Sequence, residues 1–121
     1  MSLFNSSQME LLTRYLDLTA TRQSLVTGNI ANVDTPGYRT RDIDFHGELQ
    51  RALQGDGSET TEPVAREVQG LIARPDGNNV SIDRESMLLS EVQLEFSSAE
   101  LLLKSEFKTL NLAINEGNGA I

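Results

Sequence analysis

The chain has 121 residues, room for one modest domain rather than two. Hydrophobic residues make up 38% and aromatic residues 5%, with no Trp, which argues against a large aromatic-lined ligand pocket. Ten Lys and Arg against 18 Asp and Glu leave a net charge of -8, which repels nucleic acid and anionic membrane; no Cys and one His exclude disulfides, thiol chemistry and Cys- or His-rich metal sites. A partner-binding or structural protein remains.

The N-terminus, Met1-Ser2-Leu3-Phe4-Asn5-Ser6-Ser7, has no basic region followed by an unbroken apolar run, so no cleaved secretory signal is expected. No stretch approaches the roughly 20 apolar residues of a membrane span.

From Ser7 to Asn32 the spacing predicts a helix. Ser7 followed by Glu10 fits a capping box. Leu11, Tyr15, Leu18 and Leu25 form one apolar row, and Leu12, Leu16, Val26 and Ile30 a second beside it. Thr19, Arg22 and Gln23 interrupt this broad stripe, and Gly28 weakens the last turns.

The middle, Val33 to Ile82, is punctuated differently. Thr35 is pushed to extended geometry by the following Pro36, so the first helix must stop before it. Pro36-Gly37 suits a type II turn. Asp42 to Phe45 alternates like a short strand, with Asp42 and Asp44 opposite Ile43, and Glu48 to Leu53 has room for one or two helical turns. Gly55 to Pro63, polar and Gly-bearing, reads as a flexible loop. Val68 to Arg74 is strand-like, and Pro75 to Asn79 is a turn.

A second helix is predicted from Arg84 to Glu116, with Asp83 as N-cap and Gly117 just past the end. Leu88, Val92, Phe96, Ala99, Leu103, Leu110 and Ile114 recur with mostly three- and four-residue gaps, as in a heptad seam, and Leu101 and Leu102 broaden the face. A rod of roughly 50 Å needs a partner along its length. Two such helices and a few strand-like scraps close no ordinary core. Either the stripes bury against other subunits, or a two-helix hairpin dimerises into a bundle.

No catalytic constellation converges. His46 lacks a positioned nucleophile or carboxylate and reads as a solvated surface residue. Asp83, Glu85, Glu91, Glu95, Glu100 and Glu106 read as a solvated helix face, because no Glu-x-x-His pair is present to build a di-metal site. Asp76-Gly77-Asn78-Asn79 lacks EF-hand spacing and reads as a turn. No cofactor is expected.

One string stands out, Asn29-Ile30-Ala31-Asn32-Val33-Asp34-Thr35-Pro36-Gly37-Tyr38. In it a helix ends on Asn residues able to satisfy free carbonyls or tolerate left-handed geometry, a Pro-Gly turn redirects the chain, and Tyr38 supplies an amphipathic anchor. It resembles the signature of bacterial flagellar axial proteins of the rod and hook. Arg41-Asp42-Ile43-Asp44-Phe45, and Asp76 to Val80 with Ile82, Asp83 and Glu85, are similar to the small proximal rod proteins of the basal body.

That resemblance implies a mainly α fold. Residues 1–32 and 83–121 would form N- and C-terminal helices of an inner axial domain, packed as an antiparallel, coiled-coil-like pair. Residues 33–82 would be a middle segment of turns, short strands and a flexible loop, the whole ordered mainly on assembly. It implies a structural subunit of the periplasmic rod, exported through the flagellar type III apparatus and carrying no catalysis. Its neighbours would be other rod subunits (FlgC, FlgF), the adaptor FliE, the MS-ring protein FliF and further copies of itself. The expected elbow comprises Asn29, Ile30, Ala31, Asn32, Thr35, Pro36, Gly37 and Tyr38. The expected packing seam comprises Leu11, Leu18, Leu25, Val92, Phe96, Leu103 and Leu110. Two alternatives are an FlgC-like rod subunit and a cytosolic acidic coiled-coil adaptor.

Overall fold

The computed structural model describes residues 6–54 and 62–119. In chain order these form α1 (Ser6–Ala31), β1 (Arg41–Ile43), α2 (Phe45–Gln54), β2 (Ala65–Glu67) and α3 (Ile82–Gly119). The flexible-loop expectation falls largely on 55–61, outside the described residues.

The two long helices pack against each other and run antiparallel, as expected. Asn29, near the end of α1, bonds Glu85 near the start of α3, whereas Tyr15, about four turns earlier in α1, lies in the field of Glu91 and Glu95. The core sits between them and is thin: Leu18 and Val26 from α1, Leu88, Val92 and Ala99 from α3, with Ile43 and Val80 closing one end. Among the described residues no helix is long and apolar enough to cross a membrane.

The helix ends differ from the sequence reading. α1 already includes Ser6, so Ser7 lies in its first turn rather than at a cap. α3 begins at Ile82, one residue before the expected cap Asp83. Ser81 caps it instead: its hydroxyl accepts the Arg84 amide at 3.2 Å and its carbonyl the Glu85 amide at 2.9 Å. Asp83 falls in the first turn, where a negative charge suits the helix dipole. At the other end α3 runs through Gly117 to Gly119.

The described residues of the middle segment form more regular structure than their sequence suggests. β1 and β2 pair antiparallel, Arg41 with Glu67 and Ile43 with Ala65. The expected strand at Asp42–Phe45 is therefore shifted, because Asp44 leaves it to cap α2, accepting the Gly47 amide on its side chain (3.2 Å) and the Glu48 amide on its carbonyl (2.8 Å). α2 begins at Phe45, three residues before the expected turn, and the Phe45 ring meets Tyr15 edge-on at 5.3 Å. The strand expected at Val68–Arg74 does not form; Val68 adds one bond to Thr40, then Gly70 (φ 84°) bends the chain and leaves Ile72 in solvent.

Candidate functional site

The densest chemistry in the molecule lies where α1 ends and α3 begins. Thr35-Pro36-Gly37-Tyr38 forms a β-turn closed by the Tyr38 amide on the Thr35 carbonyl (3.2 Å), with Gly37 at φ 76° as a type II turn requires. Facing it, Pro75-Asp76-Gly77 makes a three-residue hairpin loop. The Gly77 amide donates to Arg74 (2.8 Å), the Arg74 amide to Asn78 (2.8 Å), and Gly77 has φ 88°. The two turns dock backbone to backbone: the Gly37 amide donates to the Asp76 carbonyl at 2.9 Å, and a side chain on Gly77 would lie 3.4 Å from Gly37 Cα.

Four asparagines hold this junction. Asn29 is buried and uses every polar site it has. Its Nδ2 donates to the Arg41 carbonyl (2.8 Å) and Glu85 Oε2 (3.1 Å), while its Oδ1 accepts the Tyr38 hydroxyl (2.9 Å) and the Arg41 amide (3.1 Å). One side chain thus joins α1, the turn, β1 and α3. Asn32 Nδ2 satisfies the Gly28 carbonyl at 2.8 Å, and its Oδ1 accepts the Thr35 hydroxyl at 3.0 Å. Asn78 Nδ2 bridges the Asn32 and Thr35 carbonyls, both at 2.9 Å, while its Oδ1 accepts the Val80 amide at 2.8 Å. Asn79 Oδ1 accepts the Thr40 amide at 2.6 Å.

A charged chain continues from it. Asp42 on β1 accepts Arg22 of α1 in a fork (3.2 and 3.1 Å) and Arg84 of α3 at 3.1 Å, and also receives the Ile43 amide at 2.8 Å. Arg84 turns a second nitrogen to Glu85 at 2.6 Å, and Glu85 returns to Asn29. Burial lowers the Arg22 pKa, but the hydrogen bond and charge of Asp42 more than offset this, so Arg22 is held above its ordinary value. The network carries no metal-binding geometry: no group of three or more His, Asp or Glu gathers among the described residues.

These contacts place the expected elbow residues unequally. Asn29, Asn32 and Tyr38 lie inside the junction; Thr35, Pro36, Gly37 and Ala31 are exposed on its outside and Ile30 is half-buried. Asn29 does not close its own helix end, as a helix-stop reading expects, but reaches across to two other elements; among the described residues only glycines have positive φ. Of the expected seam residues, Leu18 and Val92 are buried and Leu11, Leu25, Phe96, Leu103 and Leu110 half-buried. His46 is exposed, as expected.

Two expectations fail. Asp42 is not on a surface opposite Ile43; both are buried, because Asp42 is the hub of the ion pairs. The acids of α3 are not all a solvated face either: Glu85 is 0% exposed and Glu106 1%. Glu95 is half-buried, and burial, the charge of Glu91 and a hydrogen bond to Glu91 hold its pKa above the ordinary value against the pull of Arg22. Arg22, Arg84, Asn78 and Asn79 were also passed over as site residues. Their signal was present: Arg22 interrupts an apolar stripe, and Glu85 stands one helical turn before Leu88 and two before Val92.

A long helix pair locked at one end by a buried polar junction, with apolar side chains exposed along α3, is the architecture of a structural subunit that packs against others. A profile described as "Flagella basal body rod protein" matches residues 16–39, the stretch running from mid-α1 through Asn29 to Tyr38 and its turn. Similarity extends over most of the chain to proteins called flagellar basal body rod protein FlgB. That of Borrelia hermsii is 32% identical over 94% of this chain and 99% of its own length. That of Escherichia coli (strain K12) is 32% identical over 85% and 89%, and that of Cereibacter sphaeroides 38% over 82% and 87%. The chain belongs to the FlgB family of flagellar basal body rod proteins.

Proposed function

We propose that the chain is a structural subunit of the proximal rod, which polymerises into the tube that transmits torque and encloses the export channel. The observation that carries this reading is that the stretch matching the rod-protein profile is the stretch that builds the buried junction. Torque transmission needs an axial helix pair whose angle to the middle segment does not yield. The Asn29–Glu85 and Asp42–Arg22–Arg84 contacts supply that stiffness, because each ties three or more elements through partly or fully buried bonds.

Residues 1–32 and 83–121 then form the inner axial layer, and 33–82 face neighbouring subunits. Partners in this reading are FlgC, FlgF, FliE, FliF and the type III export apparatus. The elbow exposes Thr35, Pro36 and Gly37 as a rigid contact, and the helix seam presents its half-buried Leu103 and Leu110 to neighbours. No catalytic step is involved.

The test is co-purification of the tagged chain with detergent-extracted basal bodies, with an export-deficient strain as control. Enrichment that vanishes without export is the expected result. A chain that stays in the cytosolic fraction in both strains contradicts the reading.

A further inference from the structure

α3 buries one acid that the junction does not use. Glu106 is 1% exposed and stands 21 residues beyond Glu85, with the half-buried Leu103 and Leu110 about one turn to either side. Glu85, Val92, Ala99 and Glu106 form one row at seven-residue spacing, and all four are buried. On α1, the helix packed along α3, Gln8, Tyr15, Arg22 and Asn29 repeat at the same interval. The two rows run antiparallel from the Asn29–Glu85 bond, and Arg22 and Tyr15 lie in the field of Glu91 and Glu95, as that register requires. About 32 Å further on, the same register brings Gln8 level with Glu106. Gln8 sits in the first turn of α1, which holds no acid of its own, and both residues are engaged in polar contacts.

We infer that Glu106 caps the start of α1 from across the helix pair, with Gln8 as its side-chain partner, and that this selects α1 as the occupant of the distal inner face of α3. The first turn of a helix offers unpaired N–H groups and the positive end of the dipole, and a carboxylate satisfies both. The Gln8 amide, exposed at the rim, donates to the same group. Any other apolar helix laid on Leu103 and Leu110 would bury that carboxylate with nothing to bond it, a penalty of the kind that rejects wrong partners. Glu106→Leu would make the row apolar from Val92 onward and remove the discrimination. Glu106 is therefore a specificity-determining residue: it gives up some stability for a single pairing, as a lone polar residue in a coiled-coil seam does. The inference goes beyond the rod reading and does not depend on it.

The test uses the full chain, unmodified and with Gln8→Leu, Glu106→Leu, the two together, or Glu106→Gln. Each is read by hydrogen exchange of Met9 to Tyr15 and by sedimentation velocity. Gln8→Leu alone is expected to speed that exchange about tenfold, the loss of a capping contact. Adding Glu106→Leu is expected to return it to the unmodified rate or slower, because the stranded carboxylate is then gone. Effects that simply add overturn the pairing with Gln8. Both chains carrying Glu106→Leu are expected to sediment as larger species than the unmodified chain at the same concentration, while Glu106→Gln sediments as the unmodified chain does. A Glu106→Leu chain that sediments like the unmodified one overturns the selective role. So does a Glu106→Gln chain that associates as much as Glu106→Leu, since association would then follow from disturbing α1 rather than from an unbroken apolar row. If the leucine chains do not fold, Gln8→Glu decides: it sets two acids level and is expected to speed exchange, and the exchanged pair, Gln8→Glu with Glu106→Gln, is expected to restore the unmodified rate. Failure of that rescue contradicts the proposal.

Discussion

In its first turns α3 buries Glu85, Leu88 and Val92, and is bonded to α1 through Asn29–Glu85 and to β1 through Arg84–Asp42. Past Ser98 the same helix shows Leu101, Leu102, Phe107, Leu112 and Ile114, each more than half exposed. Helix propensity does not separate the two halves, since the distal half is rich in Leu, Lys and Glu. The contrast lies in what is packed against them. The elbow end is tied to α1 and β1 by polar bonds, although Met87 and Leu94 stay exposed on its outer face; the distal end carries more of the exposed apolar side chains. Rigidity is thus built into the subunit, while stickiness is deferred to assembly.

The sharpest way to break the elbow end is Asn29→Ala. It removes one of the two partners of the Glu85 carboxylate and the Asn29 bonds of the Tyr38 hydroxyl and the Arg41 backbone amide and carbonyl, and is expected to cost about 3 kcal/mol of stability by denaturant titration. Asp42→Ala leaves Arg22 without its acid and Arg84 with Glu85 alone; because both arginines are partly exposed, about 2 kcal/mol is expected in the same titration. Gly37→Val meets no steric neighbour at Cβ but forces a β-branched residue to φ 76°, which costs about 1–2 kcal/mol. Its effect, like that of Pro36→Ala, is expected on assembly more than on export, read as normal amounts of exported chain with reduced motility.

The smallest effect sharpens the comparison from the helix interface. Glu95 binds its proton more tightly folded than unfolded, so the charged form weakens the fold. That penalty is absent below about pH 4.5, the ordinary value, and grows as pH rises through the raised pKa. Glu95→Gln should therefore raise the melting temperature slightly at pH 7 and give no advantage below pH 4.5. An equal gain at both values would assign the effect to packing.

Both long helices and the Pro-Gly turn were legible in the sequence, because apolar periodicity and Pro-Gly chemistry are local signals, whereas the antiparallel pairing followed from the family resemblance. The junction was not legible. Asn29, Asn78, Glu85 and Asp42 are separated by up to 56 residues, as in the Asn29–Glu85 bond, and a polar residue looks the same in sequence whether water or a distant partner satisfies it. The acids of α3 show the cost of that ambiguity: Glu85 and Glu91 are read alike, yet one is sealed in the junction and the other faces solvent. Short strands fail for a related reason, since β1 and β2 are placed by the turns and Asp44 rather than by their own alternation.

The expectation of order mainly on assembly then applies to the distal end of α3. Hydrogen exchange of the isolated chain tests that most directly. The account predicts slow exchange at Arg22 to Asn29 and Glu85 to Val92, and fast exchange beyond Lys104 that becomes slow in assembled rods. Protection that is uniform along α3 in the isolated chain, or absent from the elbow end, would contradict it.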